Sequence, residues 1–453
     1  MAFADCERPG DLTDDDLEKF ARYAERAYFS PELSSYLTVL FTSNFINPSF
    51  KPEKKREFVK SILHVFKEAS DPALPPCAYC AKPSARLAHR DLVPMLTGRE
   101  AVNFFPGGTP GLPLCGSCIL ALQALSIGAP MCSGRALVVF CDSPELTLQL
   151  VRAWQPEVRK RIQLSQTAGE KLSPMTRPLT RTIEALTSIE SERADYGNSS
   201  LTVYHVSNSG QGPQADIHFL PSPVVQFVRR ARAARYSAIW GELVHRAWEI
   251  PQRPKKGDRQ LKAQAPSLRN YLYEDLFNLP ERAGRFIRVY LLRKAIKYPQ
   301  GPGDPRASYP GWKDGIRGLW DLTSLFLQEV IAMDMARVEA IRKVGDTLAD
   351  EISVENDRKL WWRIYSGDAY RQVRLTLIQA SKARLKRTLP PVLSLDEFLQ
   401  VFEEGEELPR VDWRLAWDLV LIRIIEKLYQ RKWFEKNLDV LKEEETEVEA
   451  KEA

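Results

Sequence analysis

The chain has 453 residues, of which 44% are hydrophobic and 27% are charged. This length and composition predict a globular protein of two or three domains, and no apolar run reaches the roughly 18 residues that a membrane helix needs. The first twenty residues lack the basic and then apolar pattern of a secretory signal. We therefore expect a cytoplasmic protein without a membrane partner.

Two helices are predicted before the first cysteine pair. Residues 12–30 begin with Thr13 as a helix N-cap and acidic residues in the first turn, and aromatic residues then recur at helical spacing. Residues 58–69 place apolar side chains on one face and predict a second helix. The polar, proline-containing stretch FTSNFINPSFKPEKK between them, residues 41–55, predicts a loop.

Two C-x-x-C pairs, Cys77 with Cys80 and Cys115 with Cys118, form the most specific pattern in the sequence. In a reducing compartment such pairs bind metals or carry out redox chemistry more often than they form structural disulfides. Four thiolates complete the tetrahedral coordination of Zn²⁺, and nearby prolines and glycines allow tight turns. We predict a structural Zn²⁺ in a module spanning about residues 74–120.

The spacing of the pairs leaves alternatives open. The 34 residues between Cys80 and Cys115 exceed the roughly 15 to 20 of ribbon-type zinc sites, so an iron–sulfur or redox centre and a metal-free clasp are the alternatives. Four sulfur ligands would leave no open position for a catalytic water. The remaining cysteines are predicted to be free thiols that pack as small apolar groups, namely Cys6, Cys132 and Cys141.

Strands are predicted after the cysteine module. Residues 135–142 are apolar and β-branched, and the segment from Ser143 has the cap and periodicity of a helix. Residues 200–222 predict a β-hairpin, because two strand-like segments flank a turn that contains glycine and proline. Helices and strands together predict an α+β fold for the N-terminal domain.

Positive charge is concentrated in the middle of the chain. The net charge is only +5, yet residues 227–300 contain 17 Lys or Arg and 6 Asp or Glu. Such a cluster can neutralise phosphates, and interspersed aromatic residues can stack on unpaired bases. For each arginine the alternative is a solvated helix face paired with acids elsewhere. We predict nucleic-acid binding through Arg229, Arg230, Arg232 and Arg235 of a helix, and through Lys255 and Lys256 of a loop.

A second, C-terminal domain is predicted to be helical. Prolines between residues 298 and 311 mark the boundary, which divides the chain into domains 1–305 and 306–453. From Trp312 onward the pattern predicts helices joined by short connections, which favour an antiparallel bundle. They are expected near residues 315–344, 346–365, 368–388, 395–403 and 411–440. An acidic tail begins at about residue 441.

The order of these features resembles that of the large subunit of type I CRISPR surveillance complexes (Cascade). The segment FTSNFINPSF is followed by CAYC, NFFPGGTPGLPLCGSC, a basic middle and a helical C-terminal part. This layout looks like the I-B-like branch that carries paired C-x-x-C motifs. The likeness covers most of the chain, and its specific part is the cysteine pairs with the glycine- and proline-rich approach to the second pair.

The resemblance implies a non-catalytic subunit that binds the end of the CRISPR RNA and recognises the protospacer-adjacent motif of double-stranded target DNA. Such a subunit helps to unwind the target, contacts the Cascade backbone and other subunits, and leaves cleavage to a recruited helicase-nuclease. In several such systems the C-terminal helical part resembles the separate small subunit. Hydroxyl and amide groups of Thr42, Asn44 and Asn47, with Lys51 behind them, match a minor-groove reader, and an Asx-turn loop is the alternative.

Two other functions remain open. The insert between the cysteine pairs contains His89, Asp91 and Asn103 and resembles HNH endonucleases, although Ile119 occupies the position where such enzymes often carry a further histidine. A zinc-stabilised protein–protein adaptor is the second alternative. The chain lacks the phosphate-binding loop, the dinucleotide-binding motif and the serine-hydrolase elbow, which removes the commonest ATPase, dehydrogenase and hydrolase classes. We expect no enzymatic activity of the chain alone.

Overall fold

The computed structural model describes residues 1–41, 50–96, 111–189, 198–208, 213–251, 268–315, 318–404, 408–438 and 440. The chain divides into two compact units, and the division falls between Ser222 and Pro223. No helix in these ranges combines the length and the apolar character needed to cross a bilayer.

The first unit combines helices with two small antiparallel sheets, which confirms the predicted α+β class. Its helices are α1 (Asp14–Ala27), α2 (Pro31–Leu40), α3 (Pro52–Leu63), α4 (Gly116–Gly128), α5 (Pro144–Ala168) and α6 (Pro178–Ser188). Its strands are β1 (Arg86–Ala88), β2 (Leu112–Leu114), β3 (Met131–Cys132), β4 (Arg135–Cys141), β5 (Leu201–Ser207) and β6 (Gln214–Leu220).

Local signals position the first helices as the sequence predicts. Thr13 caps α1, because its hydroxyl accepts a hydrogen bond from the Asp16 backbone N–H while the Asp16 carboxylate accepts one from the Thr13 backbone N–H. Such a capping box satisfies two backbone donors that a helix end leaves unpaired. Ser143 caps α5, because its hydroxyl accepts a hydrogen bond from the Leu146 backbone N–H. The second predicted helix begins earlier than expected, at Pro52.

The four-stranded sheet has the order β3-β4-β5-β6, and the predicted hairpin forms β5 and β6. Leu137, Val139 and Val203 are buried beneath the sheet.

On the opposite face of the four-stranded sheet Phe140 of β4 lies in register with Thr202 of β5, which lies in register with Phe219 of β6. Phe140 and Phe219 are 55% and 53% exposed. Side chains alternate across a strand, so Phe140, Tyr204 and Phe219 all lie on this side of the sheet. We call this side the aromatic face and define it by these three residues.

The second unit is almost entirely helical within its described residues. Its helices are α7 (Ser222–Ala231), α8 (Ser237–Arg246), α9 (Tyr271–Asp275), α10 (Ala283–Phe286), α11 (Leu319–Glu329), α12 (Met335–Glu355), α13 (Arg358–Tyr365), α14 (Tyr370–Lys386), α15 (Leu395–Phe402), α16 (Trp413–Gln430) and α17 (Trp433–Lys436). A π-helical turn follows α10 at Ile287–Leu291, and the short strands β7 (Glu403–Glu404) and β8 (Leu408–Pro409) pair with each other.

The division at Ser222 does not coincide with the predicted boundary between residues 305 and 306. The reason is the apolar face of α7, which packs into the same core as the C-terminal helices. The ring of Phe227 lies 5.2 Å from that of Phe326 in α11, and Phe326 stacks on Phe286 at 5.0 Å. The described parts of the basic middle at residues 227–251 and 269–300 therefore belong to the helical unit.

The C-terminal helices break at other positions than predicted. Asp334 caps α12 by accepting a hydrogen bond from the Ala336 backbone N–H, so the predicted helix 315–344 is divided into α11 and α12. Asn356 adopts a left-handed conformation at the end of α12, and Asp357 caps α13. The left-handed position and the N-cap positions all favour short polar residues.

Helix directions follow from ion pairs between the helices. Lys343 of α12 pairs with Glu397 of α15, and Arg337 at the start of α12 donates to the Val401 carbonyl near the end of α15. These two helices are antiparallel, as predicted. Arg337 also pairs with Asp412 at the start of α16, and Asp350 pairs with Arg431 after its end. The helices α12 and α16 therefore run in the same direction, because α13, α14 and α15 return the chain between them.

Arg306 is fully buried and forms an ion-pair network with the buried Asp304 and the partly buried Asp275. Its guanidinium donates to Asp304 at 2.9 Å and to Asp275 at 2.7 Å, and it lies 4.3 Å from the centre of the Tyr271 ring. Burial alone would raise the pKa of the Asp304 carboxyl, but the hydrogen bonds from Arg306 outweigh burial and lower it. The ion pair of Asp304 with Arg306 therefore stabilises the unit while Asp304 stays ionised.

Asp304→Asn should lower the free energy of unfolding by about 3–5 kcal/mol, because it leaves a buried guanidinium without one of its two charges. Unfolding in urea can be followed by tryptophan fluorescence, since nine of the ten tryptophans follow Pro223. Asp350→Asn is the control, because its ion pair with Arg431 is partly exposed and should contribute below about 1 kcal/mol.

The same network predicts how stability changes with pH. The pKa of Asp304 is lowered in the folded chain, so its contribution is complete above the unfolded pKa of about 3.9 and is lost as the pH falls through the folded value. Asp304→Asn should lose less stability than the wild type over this acidic range. Equal losses in the two proteins would contradict the assignment.

Candidate metal centre and nucleic-acid interface

A two-stranded ribbon brings the two cysteine pairs together. Strand β1 follows the first pair, strand β2 precedes the second, and Arg86 lies opposite Leu114 in their antiparallel pairing. A hydrogen bond also connects the turn of the first pair to the strand that leads into the second pair, because the Ala78 N–H donates to the Pro113 carbonyl at 2.9 Å. The long insert therefore folds back, as the zinc prediction requires.

The first cysteine pair lies in a tight turn, and the second lies at the start of a helix. The Cys77 N–H donates to the Lys82 carbonyl at 2.8 Å, and the Ala81 N–H donates back to the Cys77 carbonyl at 2.9 Å. In the second pair Cys115 is the N-cap residue of α4, so that Cys118 lies in the first turn of the helix. The tight turn and the start of α4 therefore each direct two sulfur atoms toward the same point.

The four sulfur atoms form one cluster. All four lie within 4.8 Å of one another, and the Cys80 and Cys115 sulfurs are 3.5 Å apart. A disulfide bond is about 2.05 Å long, whereas sulfurs about 2.3 Å from a tetrahedral metal ion would be separated by roughly 3.8 Å. The arrangement can hold a metal ion, and the predicted cluster of Cys77, Cys80, Cys115 and Cys118 is confirmed.

The thiols perturb one another strongly. Burial raises the pKa of Cys118, and the sulfurs of the other three cysteines raise it further. Burial also opposes ionisation of Cys77, but backbone N–H groups, among them those of Cys115 and Tyr79, outweigh it and lower its pKa to about 6. Several thiolates this close together repel each other, and a bound cation would reverse that repulsion.

Gly116 allows the second pair to approach the neighbouring chain. A Cβ atom at this position would lie 2.3 Å from the Val65 carbonyl oxygen and 2.7 Å from the Phe66 Cα. Both contacts are with backbone, so neither can be relieved by rotating a side chain. Only glycine permits the turn between Cys115 and Cys118 to pack here.

The remaining cysteines lie outside this cluster. None of the seven forms a disulfide, and Cys132 and Cys141 are buried, in agreement with the prediction that they pack as small apolar groups. Burial raises the pKa of Cys132 to about 12. A thiol held in its neutral form is a poor nucleophile and a poor metal ligand.

The residues that resemble a nuclease form no second metal cluster within the described ranges. His89 and Asp91 lie in the turn after β1, and the His89 Nδ1 and the Asp91 Oδ1 are both buried without a hydrogen-bond partner among the described residues. Asn103 lies outside those residues.

Two of the four predicted helix arginines form ion pairs with α11. Arg230 contacts Glu329 at 2.5 Å and Arg235 contacts Asp321 at 3.4 Å, yet the two arginine side chains stay 53% and 66% exposed. Arg229 and Arg232 are partly buried. The carboxylates reduce the local positive charge that the sequence predicts, but they leave these guanidinium groups open to solvent.

The other predicted nucleic-acid residues are only partly described. Lys51 is exposed at the N-cap position of α3. Thr42, Asn44, Asn47, Lys255 and Lys256 lie outside the described residues, as does the acidic tail from residue 441.

The structure also groups cations that the sequence analysis did not connect. Arg288, Lys294, Lys313 and Arg414 line one cavity of the second unit, together with Trp362. These residues are far apart in the sequence, so no local pattern identifies them.

Comparisons of the chain with protein-family models, with curated proteins and with solved structures gave no match. The resemblance to the Cascade large subunit therefore stays a hypothesis.

Cys115→Ser should remove the metal, because a hydroxyl is a far weaker ligand than a thiolate. We expect about one metal ion per wild-type chain by elemental analysis and well below half of that in the variant. Cys141→Ser is the control, since it changes a buried thiol outside the cluster and should leave the metal content unchanged. Equal metal content in the wild type and in Cys115→Ser would disprove the centre.

Gly116→Ala should destabilise the turn by about 1–3 kcal/mol, because the new methyl group overlaps the backbone of Val65 and Phe66. We expect faster release of the metal to a chelator than in the wild type. Gly128→Ala lies on the same helix, where its methyl group would meet only Val151 at 3.7 Å, and should release metal at the wild-type rate. Similar release from the two variants would show that the close approach is unimportant.

Proposed function

We propose that this chain is a zinc-stabilised, nucleic-acid-binding protein without catalytic activity of its own. Two observations carry the proposal: exposed guanidinium groups on α7 and on the connection between α7 and α8, and an all-cysteine centre in the first unit that leaves no ligand position for chemistry. Phosphate recognition needs cations at the surface, and a structural metal needs a closed ligand set.

Zinc is the metal that the cluster suits best. Four thiolates with tetrahedral spacing favour Zn²⁺ or iron, and two turns that each present a C-x-x-C pair are typical of structural zinc sites. The metal would fix the ribbon of β1 and β2 against the start of α4. Its role is to order the insert rather than to activate water.

The aromatic face supports binding of unpaired bases. Phe140 and Phe219 flank Tyr204 diagonally across three adjacent strands, with Ile217 beside them and 61% exposed. Exposed rings on an antiparallel sheet offer stacking surfaces to successive bases, at about 1–3 kcal/mol per base. We therefore propose that this face binds a single strand of RNA or of opened DNA.

The arginines support contact with the phosphate backbone. Arg230 and Arg235 pair with acids across the surface, and such exposed pairs contribute little to stability. A phosphate can compete with Glu329 and Asp321 for the same guanidinium groups, since these groups remain more than half exposed. Backbone contacts of this kind give affinity without selecting a base sequence.

The more specific form of the proposal follows the resemblance. As the large subunit of a type I Cascade complex, the chain would bind the end of the CRISPR RNA, check the protospacer-adjacent motif and hold separated DNA strands. Guide pairing would then supply the longer sequence specificity. The metal cluster, the exposed arginines and the aromatic face are compatible with that role.

Binding to a fluorescently labelled single strand should weaken steeply with added salt, because each phosphate contact releases counterions. The double variant Arg230→Gln, Arg235→Gln should reduce the salt dependence by about 2 in the slope of log K against log salt, and should weaken binding roughly tenfold at low salt. Fluorescence anisotropy across a salt series measures both. Arg342→Gln is the control, because it removes another exposed, ion-paired arginine, from α12.

Association that is absent, or that salt does not change, would overturn the nucleic-acid function and favour a protein–protein adaptor. Mg²⁺- or Mn²⁺-dependent cleavage of the strand that disappears in His89→Ala would instead support the nuclease. Cleavage that persists in His89→Ala would reflect a contaminant and leave the binding result to decide.

A further inference from the structure

The second unit contains a cavity that the proposed function does not use. Its volume is about 520 Å³, and its walls come from segments that are distant in sequence. Arg288 lies in the π-helical turn and Lys294 follows it, Gly311 and Lys313 lie in the connection before α11, Trp362 and Tyr365 lie on α13, and Arg414 lies on α16. The volume falls within the range of roughly 300–1,000 Å³ that small-ligand sites occupy.

The charge on the walls is strongly positive. Four cationic side chains line the cavity, and Asp368 is the single carboxylate among the lining residues. Asp368 is largely exposed and is engaged by Arg414, whose guanidinium lies 3.8 Å from it. Neither Arg288 nor Lys294 has an ion pair within the described part of the chain. The four cations converge on a space with one lining carboxylate, with the buried Asp418 close to Lys294, and this excess of positive charge indicates an anionic ligand.

Lys294 is the most constrained of these cations. Burial lowers the pKa of its ammonium, the nearby Arg288 and Arg414 lower it further, and the buried Asp418 opposes this shift. Its Nζ lies 4.8 Å from the centre of the Tyr365 ring. An anion in the cavity would stabilise the charged form of Lys294 and relieve its repulsion from the two arginines.

Aromatic rings form another part of the wall. Trp362 and Tyr365 both line the cavity, with their ring centres 6.1 Å apart and their planes at 76°. Tyr309 lines it from a different segment. Rings offer a planar ligand group both apolar surface and a stacking partner. The cavity therefore combines groups that suit a phosphate with groups that suit a base.

We propose that this cavity binds a nucleoside phosphate, with the phosphate on Arg288, Lys294 and Arg414 and the base against Trp362 or Tyr365. The proposal goes beyond the function above, which concerns the exposed arginines Arg230 and Arg235 and the aromatic face. A free nucleotide and the phosphorylated end of a strand share this chemistry, and both would fit the same side chains.

Isothermal titration calorimetry of the full chain with adenosine 5′-monophosphate, adenosine and inorganic phosphate tests the proposal. We expect the nucleotide to bind, and adenosine to bind at least about tenfold more weakly, because it lacks the charge that the cations recognise. Arg288→Gln should weaken nucleotide binding at least about tenfold. Arg285→Gln is its matched control, since Arg285 is an exposed arginine three residues earlier that does not line the cavity.

A second pair of variants adds a charge instead of removing a contact. Ala295→Glu places a carboxylate at the cavity wall and should abolish nucleotide binding, whereas Ala307→Glu changes an exposed alanine that does not line it and should have no effect. Trp362→Leu should weaken nucleotide binding while leaving inorganic phosphate binding unchanged. Unfolding curves for each variant separate loss of binding from loss of structure.

Short single strands with a 5′-phosphate or a 5′-hydroxyl distinguish the two sources. A preference for the phosphorylated end that Ala295→Glu removes identifies a strand terminus, and binding of the mononucleotide alone identifies a free nucleotide. The Arg230→Gln, Arg235→Gln variant should bind the mononucleotide normally, so failure of the surface proposal would not affect this result. Absence of nucleotide binding, or binding that Arg288→Gln and Ala295→Glu leave unchanged, would overturn the cavity proposal.

Discussion

The convergence of four sulfur atoms is the constraint on which the N-terminal unit depends. Cys77, Cys80, Cys115 and Cys118 come from the two ends of a long insert, and their sulfurs lie within 4.8 Å of one another. Uncompensated thiolates at this distance repel each other, so a cation is what makes the arrangement favourable. Because Cys115 is also the N-cap residue of α4, the same four atoms connect the ribbon to the helical core.

Arginine has two different roles in the second unit. Arg306 is fully buried between Asp275 and Asp304 and stabilises the fold. Arg230 pairs across the surface but remains exposed, and Arg288 has no ion pair among the described residues. The same side chain can therefore act in folding or in anion recognition, and its carboxylate neighbours decide which. A high count of arginines in a segment does not distinguish these roles by itself.

Features that depend on neighbouring residues were predictable from the sequence. The Thr13 cap, the β5–β6 hairpin and the metal cluster each follow from short-range patterns of side-chain chemistry. The caps at Asp334 and Asp357 were equally visible, but the continuous apolar periodicity across them favoured longer helices. Local hydrogen bonds of capping residues outweighed periodicity at these positions.

Features that depend on packing between distant segments were not predictable. The division at Ser222 depends on the contact between Phe227 and Phe326, whereas the prolines before Trp312 suggested a boundary that packing does not respect. The direction of α12 relative to α16 likewise depends on side chains about 75 residues apart, such as Arg337 and Asp412. The cavity could not be predicted from the sequence for the same reason, because its cations lie in segments that are distant in the sequence.

X-ray absorption at the zinc edge of the purified chain directly tests whether the four cysteine sulfurs bind one zinc ion. We expect one zinc environment with four sulfur neighbours at about 2.3 Å and no nitrogen or oxygen ligand. A spectrum with nitrogen or oxygen in the first shell, or a chain that contains neither zinc nor another metal, would contradict this expectation.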